Sequence, residues 1–185
     1  MLRSVGVSVA LAALALGLVA ASAAASGGGI AARNAVALAA GDLDTSVLAG
    51  ARDALSIALR NLGAVALLAA GAPLLATLTL VALPVLGIGL GLSAAAVVEA
   101  LGPVETLQRV APYIAFELTG VVLAAASGIL PTVHALAMAA RRGSASLPRS
   151  YASALPASLA LTLVAALLIV IAACIEAVVI GAHPH

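Results

Sequence analysis

Long uncharged apolar stretches, separated by short charged segments, organise this chain. The first stretch runs from Ser4 to Ala32, and its apolar centre, Val5 to Ala25, has about the length that a membrane-spanning helix needs. Met1-Leu2-Arg3 and the small residues near the end of the stretch also fit a cleaved signal peptide. We favour a retained first transmembrane helix over residues 1–29 and keep the signal peptide as the alternative.

An amphipathic helix is predicted after this first stretch. From Thr45 to Arg60, polar side chains fall on one side of a helix, and alanine, valine and leucine fall on the other. Asp44 is a natural N-cap, and cap and turn chemistry explains it and Asp42 better than a metal pair, because no histidine lies nearby. We predict that residues 43–60 lie on the membrane surface or pack over the bundle.

The longest uncharged stretch, Asn61 to Val98, is too long to be one straight membrane helix. It would measure ~57 Å, whereas the hydrocarbon core of a bilayer is ~30 Å thick. Pro73 and Pro84 are the helix breakers, and Pro84, near the middle, is the better turn. We predict helices over 61–82 and 85–100, the second either spanning or re-entrant because it is short.

The remaining stretches complete an all-α fold. Glu99–Ala111 is predicted to be a polar connector, followed by a helix over 112–140 that Pro131 interrupts. A basic, serine-rich loop precedes the last helix, over 152–180. The chain is therefore predicted to be a single polytopic transmembrane helix bundle in the cell membrane, with about five membrane helices plus one amphipathic surface helix.

Composition supports the membrane interpretation and limits the partners. Hydrophobic residues make up 64% of the chain and charged residues 8%, whereas about a quarter of a soluble domain is charged. A water-soluble fold would lack the polar residues to cover its surface, but a bilayer removes that need. The arginines are scattered and there is no lysine, which argues against binding nucleic acid. The expected partners are the lipid bilayer and further copies of the chain or other membrane proteins.

The arginines do not orient the bundle. With five spans, each side of the membrane receives four of the eight, so the positive-inside rule gives no preference. One side holds Arg3, Arg141, Arg142 and Arg149, and the other holds Arg33, Arg52, Arg60 and Arg109.

Glu117 is the most informative polar residue, because a charge at bilayer depth costs about 2.5–3.5 kcal/mol. It lies in the first turns of the predicted fourth helix. Gly120, Ala124 and Gly128 follow it at helical spacing and form a stripe suited to close helix packing. Glu117 is therefore expected to point into the bundle, where it either bonds to a neighbouring helix or to water, or serves proton or ion passage.

Two further polar residues and two glycines are candidates. Glu176 lies near the end of the last helix, where it either reaches the headgroups or joins Glu117 in a pathway. Asn61 opens the predicted second helix and either caps it or bonds across helices. Gly87 and Gly91 are predicted to form a packing face, because their surroundings do not fit a dinucleotide-binding loop.

No side-chain set typical of catalysis or metal binding is visible. Cys174 is the single cysteine, which excludes cysteine-based metal motifs. His134 has no partner nearby in sequence, and His183 and His185 flank a proline near the end of the chain, whereas a zinc site needs more convergent ligands. We therefore predict a protein without enzymatic activity, metal or cofactor.

The segment Ala111–Gly120 resembles the stage II sporulation protein M family, which carries a Leu-Pro-His-Gly-x-Phe-Glu-Leu-Pro-Ala type motif. The matching residues are Pro112, Phe116, Glu117 and Leu118. Similarity extends over roughly Leu43 to Ile180. Tyr113 replaces the family's histidine and Thr119 its second proline, so a role carries over for the glutamate but not for the histidine.

In spore-forming bacteria the resemblance implies a membrane protein of engulfment, acting with partners that remodel septal peptidoglycan; in other members the role is undefined. The first hypothesis is accordingly a scaffold or subunit of a membrane complex. The second is an ion, proton or small-solute transporter or channel that uses Glu117 and Glu176. An intramembrane enzyme has the least support.

Overall fold

The computed structural model describes residues 1–25, 47–143 and 147–182, and these form five α-helices and no strand. The all-α helix bundle predicted from the sequence is confirmed. The helices are α1 (Leu2–Ala25), α2 (Val47–Ala69), α3 (Thr77–Leu101), α4 (Pro103–Arg142) and α5 (Leu147–Ala182).

Four of the described helices, α1, α3, α4 and α5, are long and apolar enough to cross a membrane. Even α1, with 24 residues, is about 36 Å long at 1.5 Å per residue, more than the ~30 Å core of a bilayer. The apolar part of α2, Ala54–Ala69, measures only about 24 Å. The chain is therefore a membrane protein whose second helix is shorter in its apolar part than a full span.

The core of the bundle lies around α4, which contacts all four other helices. In its most apolar window 61% of residues are buried, against 22–28% for the other three long helices. α1 contributes Ala12 and Leu16 to the core and packs on α3 and α4. Large apolar side chains on the outer faces of α1, α3 and α5 are exposed, as expected for surfaces that meet lipid. They include Leu11, Leu14, Leu80, Val85, Leu163 and Leu167.

The prediction of a turn at Pro84 is wrong, because Pro84 lies inside α3. The chain turns instead over residues 70–76, which include Pro73, and Leu75 and Ala76 there have the left-handed φ values 52° and 67°. One proline removes only one helical N–H, so a membrane helix tolerates it when the neighbouring bonds persist. Residues 85–100 accordingly belong to α3 and form no separate or re-entrant helix.

The turn is placed by a close approach between α2 and α3. A Cβ atom on Gly71 would lie 1.8 Å from the Thr79 Oγ1, so only glycine fits there. Thr79 Oγ1 donates a hydrogen bond of 2.6 Å to the Leu68 carbonyl, which ties the start of α3 to the end of α2. The turn therefore depends on a contact between residues on its two sides, Leu68 and Thr79, and on the space that Gly71 leaves.

The predicted surface helix is also not a separate element. α2 runs without a break from Val47 to Ala69, so it unites most of the predicted amphipathic segment 43–60 with the first part of the segment 61–82. The N-cap predicted at Asp44 and the residues before it lie outside the described residues. Because a helix continues wherever its backbone bonds continue, a change from polar to apolar composition does not end it.

The predicted polar connector Glu99–Ala111 is helical except at Gly102, whose φ is 80°. Pro103 follows at the first helical position, where a missing N–H has no cost. Thr106 Oγ1 donates to the carbonyls of Gly102 and Val97, at 2.7 and 3.2 Å. α4 therefore begins well before the predicted start at residue 112, and it continues through Pro131 to a C-terminal cap at Gly143.

Candidate functional site

Three helices bring Asn61, Glu117 and Glu176 together. Asn61 Nδ2, on α2, donates a hydrogen bond of 3.1 Å to Glu117 Oε1, on α4. Glu176, on α5, lies close enough for its charge to interact with those of Glu117 and Arg60. The three side chains are half-buried. Residues far apart in the chain thus form one site, which their spacing in the sequence did not show.

The positions of Asn61 and Glu117 within their helices differ from the prediction. Asn61 lies inside α2 and does not open a helix, so it makes a cross-helix bond and no cap. Glu117 lies about four turns into α4, and not in its first turns, because α4 includes the segment predicted to be a connector. Both shifts move the pair away from the helix ends.

Arg60 and Tyr113 complete this group, which we call the polar cluster (Arg60, Asn61, Tyr113, Glu117 and Glu176). Tyr113 is half-buried one turn before Glu117 and lies within electrostatic reach of both carboxylates. Arg60 is exposed at the edge of the cluster. Sequence reasoning missed both residues as site members, although helical spacing from Glu117 and adjacency to Asn61 were available signals.

The motif residues around Glu117 point away from the polar cluster, toward the outer surface of α4. Pro112 is exposed, and Phe116 and Leu118 are 38% and 39% exposed. Glu117 is the motif residue that turns toward the other helices, with Asn61 as its hydrogen-bond partner. The apolar motif residues therefore lie on the outer surface of α4, where lipid or a partner would meet them.

The small residues after Glu117 lie where helices approach most closely. A Cβ on Gly120 would lie 2.9 Å from Ile169 Cγ1 of α5, and Ala124 is fully buried. A Cβ on Gly128 would lie 2.0 Å from Thr79 Oγ1 and 2.2 Å from the Leu68 carbonyl. These positions hold α4 against α2, α3 and α5.

Gly87 and Gly91 lie where α3 meets α1. A Cβ on Gly87 would lie 3.0 Å from Val19 Cγ1, and one on Gly91 would lie 2.3 Å from the Ala20 carbonyl oxygen. Larger residues at these positions would force the two helices apart. The contact gives α1 a defined place in the bundle; whether the segment is cleaved stays a prediction.

A second polar layer joins α4 and α5 farther along these helices, toward the end where α5 begins. Ser158 Oγ donates to the Ser127 carbonyl at 2.7 Å, and Thr162 Oγ1 bonds to Ser127 Oγ at 3.0 Å. Buried apolar residues separate this layer from the polar cluster, because Ala165 and Ile169 are fully buried between the two. Sequence reasoning missed the layer, since isolated hydroxyl residues in apolar helices show no pattern.

His134 has a partner from another helix. Its Nδ1 is hydrogen bonded to Ser4 Oγ of α1 at 3.1 Å. In the described ranges, no group of three or more histidine, cysteine, aspartate or glutamate side chains is arranged to hold a metal ion. Cys174 is a free, exposed thiol. His183 and His185 lie outside the described residues.

Comparison with known proteins gives one match, to a protein family. No curated protein and no solved structure matches the chain significantly. The family model for Stage II sporulation protein M matches residues 7–179, which include Asn61, Glu117 and Glu176. The match covers nearly the whole chain and agrees with the resemblance found around Glu117. The chain therefore belongs to the stage II sporulation protein M family.

Proposed function

We propose that this protein is a non-enzymatic scaffold or subunit of a membrane complex, a multi-pass protein of the cell membrane that assembles with its own copies or with other membrane proteins. One observation carries this proposal. Asn61 of α2 donates a hydrogen bond of 3.1 Å to Glu117 of α4, which links two helices through polar side chains. Such bonds hold helices together in lipid, where a polar group has few other partners.

The apolar layer below the cluster supports the same function. Gly120, Ala124, Ala165 and Ile169 are buried between the polar cluster and the hydroxyl layer of Ser127. An ion or proton pathway needs polar groups or water along its length, since a charge in hydrocarbon is costly. The helices are closely packed at this level, and apolar motif residues such as Phe116 remain on the surface, where lipid or a partner would meet them.

Family membership extends the proposal to the partners. In spore-forming relatives we expect the bundle to hold together proteins that remodel septal peptidoglycan during engulfment, and elsewhere to serve a comparable complex at the cell envelope. The protein would hold its partners together at the membrane, and the partners would carry out the reactions on peptidoglycan.

A proton or cation pathway is the second candidate, because two carboxylates from different helices, Glu117 and Glu176, lie close enough for their charges to interact. Glu117→Gln separates the two functions. Glutamine keeps an oxygen that can accept the bond from Asn61 but carries no titratable proton. If the protein is a scaffold, the Glu117→Gln variant should assemble like the unchanged protein, because it keeps the bond from Asn61. The Glu117→Ala variant loses this bond and should assemble less well. Glu105→Gln, at an exposed position on the same helix, is the matched control.

The measurements are particle mass in mild detergent, crosslinking in native membranes, and proton flux in proteoliposomes with an internal pH dye. We expect a defined assembly larger than one chain, and flux equal to that of empty liposomes for all variants. Flux that Glu117→Gln abolishes and Glu105→Gln retains would replace the scaffold with the pathway. A chain that crosslinks to nothing in its native membrane would contradict the scaffold directly.

A further inference from the structure

Among the described residues, one end of the bundle carries arginines and no acidic residue. At this end, which we call the arginine end, α1 and α5 begin, α4 finishes, and α2 turns into α3. Two contacts join these elements across the helices. Ser4 bonds to His134, and the Tyr151 hydroxyl donates to the Ala72 carbonyl.

Three arginines of this end have exposed side chains. Arg3, Arg141 and Arg149 are exposed, and among the described residues none of them forms an ion pair. The chain contains no aspartate or glutamate within residues 1–41, 54–98 or 118–175. These ranges supply every described part of the arginine end, so its positive charges have no acidic partner there.

The opposite end differs because the two arginines whose side chains are described there, Arg60 and Arg109, have acidic partners. Glu99 and Glu105 lie there, where α3 meets α4. Arg109 NH2 lies 2.6 Å from Glu105 Oε1, and Arg60 interacts with Glu176 in the polar cluster. Counting arginines alone gives the two ends equal weight, whereas the glutamates of the described helices, Glu99, Glu105, Glu117 and Glu176, all lie toward one of them.

We propose that the arginine end binds the headgroups of anionic phospholipids. Helices long enough to span the bilayer place this end at the level of the headgroups. A guanidinium forms paired hydrogen bonds with phosphate oxygens, and its flexible stem lets it reach them from a helix end. Exposed arginines without acids repel one another until an anion compensates them, and an anionic leaflet supplies such anions at high local density.

The proposal also orients the protein, which the arginine count does not. The cytoplasmic leaflet carries the negative surface potential, so the arginine end faces the cytoplasm. The acid-bearing end, with the polar cluster nearest to it, then faces the other side. This inference is independent of the scaffold function, since a transporter of the same charge pattern would bind the same lipids.

The test uses the full chain in nanodiscs of phosphatidylcholine, with and without phosphatidylglycerol, and measures the thermal unfolding midpoint. We expect phosphatidylglycerol to raise the midpoint by several degrees for the unchanged protein. Arg3→Gln, Arg141→Gln and Arg149→Gln should each reduce this rise, and the triple variant should remove most of it. Arg109→Gln removes the same charge at the opposite end of the bundle, so phosphatidylglycerol should raise the midpoint of this variant as much as that of the unchanged protein. Free glycerol phosphate added to phosphatidylcholine discs should leave the midpoint unchanged.

Three results would overturn the proposal: a full rise in the triple variant, an equal loss in Arg109→Gln, or the same rise from free glycerol phosphate. If the triple variant does not fold, native mass spectrometry of the unchanged protein from mixed discs decides. Retention of phosphatidylglycerol over phosphatidylcholine supports headgroup binding, and equal retention of both lipids contradicts it.

Discussion

At the scale of single residues, glycines mark the points where the helix axes approach most closely. Gly128 of α4 faces Thr79 and the Leu68 carbonyl, whereas Gly89 of α3 has no atom within 4 Å of the position of a Cβ. The same residue type therefore has opposite meanings at the two sites. At Gly128 it allows contact among three helices, and at Gly89 it only weakens the helix.

Gly128→Ala should lower the stability of the bundle, because its Cβ would lie 2.0 Å from Thr79 Oγ1 and 2.2 Å from the Leu68 carbonyl oxygen, on the backbone. Overpacking of this kind costs about 1–3 kcal/mol. Gly89→Ala is the matched control and should be neutral or stabilising by up to about 1 kcal/mol. Thermal unfolding in detergent measures both. A Gly128→Ala protein as stable as the control would contradict the close contact.

The bond between Asn61 and Glu117 should be measurable as a coupling energy. Asn61→Ala, Glu117→Ala and the double variant form a cycle that isolates the pair. Bonds between membrane helices average about 0.6 kcal/mol and reach about 1.7 kcal/mol in such cycles. We expect a value in this range from unfolding in mixed micelles. The control cycle combines Asn61→Ala with Glu105→Ala. Asn61 and Glu105 do not contact each other, so their coupling energy should be near zero.

At the scale of elements, the turn between α2 and α3 is under backbone strain. Leu75 has a φ of 52° and is 66% exposed, so its side chain stabilises the turn little. A non-glycine residue in the left-handed region costs about 1–2 kcal/mol. This strain persists because Thr79, after the turn, donates a hydrogen bond to the Leu68 carbonyl before it and packs against Gly71 within it.

Leu75→Gly should therefore raise the unfolding temperature slightly, since relief of the left-handed strain exceeds the entropy cost of glycine, which is roughly 0.5–1 kcal/mol. Leu74→Gly is the control. Leu74 is 53% exposed and has no positive φ, so it loses the same side chain without relief of strain and should lower the unfolding temperature. Equal shifts in the two variants would show that the turn is not strained at Leu75.

At the scale of the whole molecule, α1 is part of the bundle. In a Cys174→Ser background, Ser4→Cys with His134→Cys should crosslink on mild oxidation, because the two side chains are in contact. A protease site introduced between α1 and α2 makes the crosslink visible as fragments that separate only after reduction. Leu11→Cys with His134→Cys is the control, since Leu11 is 50% exposed and lies two turns away on α1. Fragments that separate without reduction in the first pair would contradict the packing of α1.

Orientation is the second prediction at this scale. In the same background, a cysteine at Ser146, between α4 and α5 in the chain, should react with an impermeant thiol reagent only after the cells are permeabilised. A cysteine at Ser46, before α2, should react from outside. This follows from the anionic character of the cytoplasmic leaflet and the charges of the arginine end. The reverse labelling pattern would contradict the proposed orientation.

The sequence by itself determined that the protein lies in lipid and that its secondary structure is helical. In a chain with 64% hydrophobic and 8% charged residues, the long uncharged apolar stretches form helices in lipid, because a helix pairs its own backbone N–H and carbonyl groups where lipid offers no partner. The stripe from Glu117 through Gly128 was visible for a related reason. Helical spacing is local, so it shows which residues share a face.

Tertiary structure decided where helices end and which polar groups meet. Pro84 continues a helix while residues 70–76 turn, because Gly71 allows Thr79 to approach and the bond to Leu68 holds it there. Asn61, Glu117 and Glu176 meet because three helices converge. The glutamates of the described helices lie toward one end because of the direction in which each helix runs through the bundle. Each of these outcomes depends on contacts between residues distant in the chain, which local pattern and composition do not specify.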